Sequence, residues 1–313
     1  MVCYFIGTVY YRRGRIELKL AIIGVPSSAG ARAKGQEKAP AALRGVGLVE
    51  KLKAAGHKVL DYGNTESFHF ILDFDNPKAQ NKFAVAKVCR LVAEKVKTAL
   101  DNGFNPIILG GDCTIAIGSI MGIVDVFPDL GLLYFDGDAD LNTPETTPSG
   151  ILDGMVLAHV IGNGCEELSR LGNRYPILRE EKIVLFGLNP ASGYIDPPEI
   201  DFLKRSSIAQ FSTEKIRELG VETAARNALK TLESKTDKIL VHFDVDVIDA
   251  SEMPAADVPH LNGLTLHEVA RALKLFAQSD RFLGMEVTEF NADKDREGEF
   301  AEKLAELIAF AVA

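Results

Sequence analysis

The chain reads as an α/β fold, a single three-layer domain in which a mostly parallel sheet of about eight strands is flanked by helices. Three observations predict it. Eight short apolar runs rich in β-branched residues recur along the 313 residues, most of them too uniformly apolar to keep one face in water. Amphipathic helical patterns lie between several of these runs, and alternation of this kind builds a parallel sheet covered on both faces. No repeat, low-complexity stretch or Pro/Ser-rich linker divides the chain, so one domain is expected.

The runs, in order, are "LAIIGVP" (20–26), "HKVLDYG" (57–63), "PIILGG" (106–111), "GLLYFD" (131–136), "KIVLFGL" (182–188), "SIAQFS" (207–212), "KILVHFD" (238–244) and "FLGMEVTEF" (282–290). "PAALRGVGLVEKLKAAG", "AVAKVCRLVAEKVKTALDNG" and "TLHEVARALKLFAQ" place apolar residues three and four apart, which predicts helices. The opening "MVCYFIGTVYYRRGRIELKL" is apolar and then basic, the reverse of a secretory signal. Residues 1–18 are therefore expected to be an extension ahead of a domain spanning 19–313.

Charge excludes several function classes. A net charge of −9 supplies no Lys/Arg excess to displace counterions from a phosphate backbone, so nucleic acid is not an expected partner. No apolar run is long enough to span a membrane. Cys3, Cys89, Cys113 and Cys165 form no C-x-x-C pair, which argues against a disulfide framework or zinc ribbon and for a reducing, cytoplasmic compartment.

Ligands of an open parallel sheet bind beyond the carboxyl ends of its strands. Here those ends carry "GGDC", "DGDAD", "DVD" and Glu289. The segment "YFDGDADLNTPETTPSGILDG" alone holds Asp136, Asp138, Asp140, Glu145 and Asp153 with no base. With Asp244 and Asp246 nearby, like-charge pairs at about 4 Å each cost on the order of 4 kcal/mol at an effective dielectric of about 20. Two bridged divalent cations of the hard, oxygen-seeking kind resolve that repulsion and activate water. A calcium loop is excluded, because Leu141 stands where that motif needs Gly and Thr147 where it needs Glu. An aspartyl-phosphate nucleophile also fits "YFDGD" or "HFDVD" taken singly, but two copies weaken that alternative.

These segments, with "IIGVPSSAGARAKGQEKAPAALRGVGLVEKLK", "ILGGDCTIAIG", "HFDVDVIDASEMPAADVPHLNGLT" and "MEVTEFN", resemble the ureohydrolase family of arginases and agmatinases, and arginases more closely. The resemblance covers nearly the whole chain. It implies an arginase-like α/β domain, a trimer or hexamer, two Mn²⁺ ions and hydrolysis of a guanidino or amidino carbon–nitrogen bond that releases urea or an analogue; the added carboxylate at Asp138 makes Mg²⁺ or Ca²⁺ the alternatives. Residue by residue it puts metal ligands at Asp136, Asp140, Asp244 and Asp246, with Cys113 and Asp138 where ligand histidines belong and Asp153 where a proton-shuttling histidine belongs. It gives Asp140 the orienting of the nucleophile, Glu289 the facing of the guanidinium, and Asn142 and Ser149 the holding of an amino-acid carboxylate. Ser192 falls near an aspartate position that meets the substrate's α-amino group. Because a hydroxyl pairs poorly with ammonium, a related guanidino or amidino acid fits no worse than arginine.

The systematic loss of imidazoles leaves a second reading open, a non-catalytic relative that binds a ligand or partner. Among the remaining histidines, His260 sits in the Pro-containing loop after Asp246 and reads first as a surface-loop residue, with a cleft-facing position as the alternative, and His159, His242 and His267 read as structural helix or strand positions.

Overall fold

The computed structural model describes residues 17–313, so the expected extension lies outside the described residues apart from Glu17 and Leu18. All eight predicted strands are present: β1 Lys19–Gly24, β2 Lys58–Asn64, β3 Asn105–Leu109, β4 Leu130–Phe135, β5 Ile183–Leu188, β6 Ala209–Ser212, β7 Lys238–Asp244 and β8 Phe282–Thr288. They form one parallel sheet in the order β2-β1-β3-β8-β7-β4-β5-β6. The helices are α1 Ala39–Gly45, α2 Leu48–Ala54, α3 Lys82–Asp101, α4 Ile115–Val124, α5 Val156–Val160, α6 Glu166–Ser169, α7 Pro197–Leu203, α8 Thr213–Leu219, α9 Val221–Glu233, α10 Leu266–Ala277 and α11 Glu299–Val312.

Strand alternation divides the interior into two cores. Leu20, Ile22, Leu133, Phe135, Val241 and Phe243 point to one face, where they pack with α1, α2 and α8–α11. Ala21, Ile23, Leu132, Tyr134 and Leu240 point to the other, against α3–α7. Aromatic packing ties the first core together, with Phe135 edge-on to Phe186 at 5.1 Å and to Phe276 at 5.8 Å between ring centroids. A Phe→Ala change at such a site costs about 3–5 kcal/mol.

Two expectations need correction. The single helix read from "PAALRGVGLVEKLKAAG" is two, α1 and α2, because Gly47 adopts φ 78° and no α-helix passes through that conformation. The run at 57–63 is not buried on both faces: β2 is a sheet edge and none of its residues is fully buried.

The connection after β4 runs to α5 and α6 on one face of the sheet, whereas that after β7 runs to α10 on the other. Adjacent strands whose connections part in this way leave a crevice at their carboxyl ends. The register aligns Phe135 with Phe243 and Asp244 with Thr288, so Asp136, Asp244 and Glu289 emerge side by side. Among the described residues, no helix is long and apolar enough to cross a membrane.

Candidate metal centre

The crevice is a cavity of about 400 Å³. Cys113, Asp136, Asp138, Asp140, Asn142, Ser149, Asp153, Asp244, Asp246 and Glu289 all line it, so one site gathers every residue predicted for it except Ser192. Ser192 is replaced on the wall by Gly193, Tyr194 and Asp196, and its hydroxyl accepts the Tyr194 N–H at 3.1 Å. The expectation placed a hydroxyl where the fold presents the Asp196 carboxylate, because "NPASGYI" loops out before the chain re-enters a helix. Asp196 then caps α7 in a reciprocal capping box with Glu199. A D-P-P-E run is a readable N-cap signal and marks the residue that sequence comparison alone missed. Asp257 also joins the wall, and among the described residues Arg32 is the one Lys or Arg side chain on it.

Backbone geometry fixes the donors. After β3 the chain passes so close to Ser27 that a Cβ on Gly111 would sit 1.7 Å from its carbonyl oxygen. That approach lets Asp112 accept from Ser27 Oγ and Gly30 N, both at 3.2 Å, locking the β1 and β3 loops together. Cys113 follows. Its N–H donates to Asp153 Oδ1 at 2.7 Å and Glu289 Oε1 at 2.9 Å, while its thiol donates to Asp244 Oδ2 at 2.8 Å. Asp136 Oδ1 accepts from Asp138 N at 2.6 Å, and Asp244 Oδ1 from Asp246 N at 2.7 Å. Tyr134 Oη donates to Asp140 Oδ2 at 2.5 Å. Asp140 and Glu289 both hold left-handed backbone, at φ 50° and 62°, a strained state for residues with a Cβ that concentrates at functional sites.

Electrostatics oppose ionisation throughout. Burial first, and neighbouring carboxylates second, push Asp136, Asp140, Asp153, Asp244 and Glu289 well above the ordinary carboxylate range. Burial lifts Asp138 to about 7, aided by Asp246 and opposed by His260, and burial likewise lifts Asp246 to about 7. Cys113 is driven up by burial and by the nearby acids, Asp244 foremost. Divalent cations fit these donors. Asp136 Oδ2 and Asp138 Oδ1 are buried with no hydrogen-bond partner, and an orphaned acceptor of this kind costs about 1–3 kcal/mol until something binds it.

Two histidines depart from their expected roles. His260 is not on the surface: it is fully buried, stacked on Tyr194 with centroids 4.7 Å apart, and its Nε2 lies 3.4 Å from Asp138 Oδ2. His242 is a strand residue as read, but its ring faces the cluster, with Nε2 3.4 Å from Cys113 Sγ. His159 is buried in α5 against Met155 O, and His267 is exposed on α10.

Fold and site together define an α/β protein with a carboxylate-rich cluster of potential metal ligands at the carboxyl rim of a parallel sheet. The Arginase family model matches residues 18–313. The arginase of Staphylococcus aureus (strain MRSA252) is 33% identical over 291 residues, covering 92% of this chain and 94% of that relative. The crystal structure of arginase from Bacillus cereus superposes with TM-score 0.87 at 31% identity, over 95% of this chain and 99% of that one. Formimidoylglutamase from Bacillus subtilis shares the fold at TM-score 0.75 and 20% identity, over 96% and 88%. The chain belongs to the arginase family.

Proposed function

We propose that the protein is a metal-dependent hydrolase that cleaves a carbon–nitrogen bond of an arginine-like guanidino or amidino compound and releases urea or an analogue. The observation that carries this reading is the cavity wall, where Asp136, Asp138, Asp140, Asp153, Asp196, Asp244, Asp246, Asp257 and Glu289 face, among the described residues, a single base, Arg32. Such a field concentrates cationic ligands.

Asp136, Asp140, Asp244 and Asp246, with Asp138 and Cys113, would hold two divalent cations. Bound there, the cations would act as Lewis acids and lower the pKa of a water so that it attacks at neutral pH. Asp140, fixed by Tyr134, orients that water. Glu289 is held by the Cys113 N–H and by the Gln36 side chain, whose Nε2 donates to Oε2 at 3.3 Å, and pairs with the planar cationic group. Water adds to the central carbon, the carbon–nitrogen bond breaks, and Asp153 delivers the proton to the departing amine. Asn142, whose amide donates to Asp196 Oδ2 at 2.9 Å, and Ser149 set the far end of the site. The Asp196 carboxylate there suits an α-ammonium group, which restores arginine to the front of the candidates. The chain is further read as a cytoplasmic homo-oligomer, trimer or hexamer, a point that light scattering tests.

The decisive experiment is a screen of arginine, shorter and longer homologues and other guanidino acids, with the protein loaded in turn with Mn²⁺, Co²⁺ and Zn²⁺. Turnover abolished by Asp244→Ala is expected. Ligand-induced thermal stabilisation without turnover under every metal would instead favour a non-catalytic binder.

A further inference from the structure

Two imidazoles outside the expected ligand set reach the carboxylate cluster. His242 lies on β7 between register partners Tyr134 on β4 and Glu286 on β8. Its ring stacks on Tyr134, with centroids 4.1 Å apart and planes 3° from parallel, and its Nδ1 is 2.9 Å from Glu286 Oε1. In the tautomer with Nδ1–H donating to Glu286, the Nε2 lone pair is turned inward. A buried carboxylate behind an imidazole is the arrangement that orients a histidine toward a metal.

Nε2 faces Cys113 Sγ at 3.4 Å and Asp136 Oδ2 at 3.8 Å, and Sγ is 2.8 Å from Asp244 Oδ2. Ligand bonds of about 2.0–2.3 Å in a tetrahedron imply edges of about 3.3–3.8 Å; the two Nε2 separations already match, and the 2.8 Å Sγ–Oδ2 pair, now a hydrogen bond, opens to that edge when the thiol gives up its proton to a cation. Asp136 Oδ2, 1% exposed as a residue, has no hydrogen bond. The second imidazole, His260, comes from the loop that returns to pair with Asp249. It is fully buried and neither ring nitrogen is hydrogen-bonded. Its Nε2 lies 3.4 Å from Asp138 Oδ2 and 3.7 Å from Asp246 Oδ2.

We infer that His242 and His260 are metal ligands, and that they create two chemically unequal cation positions. One combines Cys113, Asp136, His242 and Asp244. The other combines Asp138, Asp246 and His260. The inference rests on the hydrolase reading and sharpens it: the sulfur-containing position selects a softer, borderline ion such as Zn²⁺, Co²⁺ or Fe²⁺ over Mn²⁺, whereas the nitrogen–oxygen position takes either kind.

Cobalt tests this without reference to turnover. The full chain, stripped of metal and titrated with Co²⁺, should bind two equivalents, one of which brings a thiolate-to-cobalt charge-transfer band. Cys113→Ser should remove the band. Glu286→Gln should weaken the band-forming equivalent about 10–100-fold, and His242→Gln should weaken it at least as much. His260→Gln should weaken the other equivalent and leave the band. If the His242 variant fails to fold, X-ray absorption at the cobalt edge of the unmutated protein still counts sulfur and imidazole neighbours. Two equivalents bound with no band and no sensitivity to either histidine would overturn the inference and leave the hydrolase reading standing. Failure to bind any divalent cation would sink both.

Discussion

Acidification from pH 7 to pH 4 should destabilise the protein through His159, and the size of the effect follows from its surroundings. The ring is completely buried in α5, with Nδ1 2.6 Å from Met155 O and Nε2 3.3 Å from Cys165 Sγ. Burial depresses its pKa to about 4, against smaller opposing contributions from the Met155 carbonyl and Glu167. The folded pKa is the lower one, so as pH falls the unfolded chain takes up the proton first. The contribution is therefore intact above about pH 6.5 and lost as pH falls through about 4. A gap of about 2.5 units at 1.36 kcal/mol each amounts to about 3 kcal/mol, or about 5 °C in Tm for a chain of this size. The loss reaches the site, because the Ala158 N–H beside it donates to Asp140 O. Thermal unfolding of the parent and of His159→Gln, followed from pH 7 to pH 4 with metals removed, isolates the contribution, since other titrating groups are common to both. The parent should lose about 5 °C more than the variant. Parallel pH profiles would refute the reasoning.

Gly111→Ala should cost about 3 kcal/mol or more, since the added methyl meets backbone rather than a movable side chain; urea unfolding reads it, and an unchanged midpoint would remove the tight β1–β3 approach from the explanation. Asp196→Ala should raise KM for a substrate bearing an α-ammonium by about 10-fold or more with little change in kcat, as expected when binding shared by ground and transition states is removed. Steady-state kinetics checks this, and an equal loss in kcat would place Asp196 nearer the reacting atoms.

The sheet was legible because strands buried on both faces must be apolar throughout, and "LAIIGVP" or "GLLYF" has no other plausible home. The acidic rim was legible for the same reason, as Asp136 and Asp244 end such runs and Asp138, Asp140 and Asp246 follow closely after them. What escaped depends on contacts between residues distant in sequence. A Pro-flanked His260 looks like any surface-loop residue until Tyr194 covers it and the chain returns to pair with Asp249. The ring of His242 had no readable direction, because its strand is apolar on both sides and only the register with Tyr134 and Glu286 reveals a polar row inside the sheet. Asp196 was hidden because it lies four residues beyond Ser192, the position where an aspartate was sought.

Metal content of the purified full chain, measured by inductively coupled plasma mass spectrometry after equilibration with Mn²⁺, Mg²⁺, Ca²⁺, Co²⁺ or Zn²⁺ and removal of excess, bears most directly on the proposed cation-dependent hydrolase. Close to two equivalents of at least one ion per chain are expected, with the sulfur-containing position filled more readily by Zn²⁺ or Co²⁺ than by Mn²⁺. Retention of none under every condition would contradict it and mean that protons alone neutralise the carboxylates.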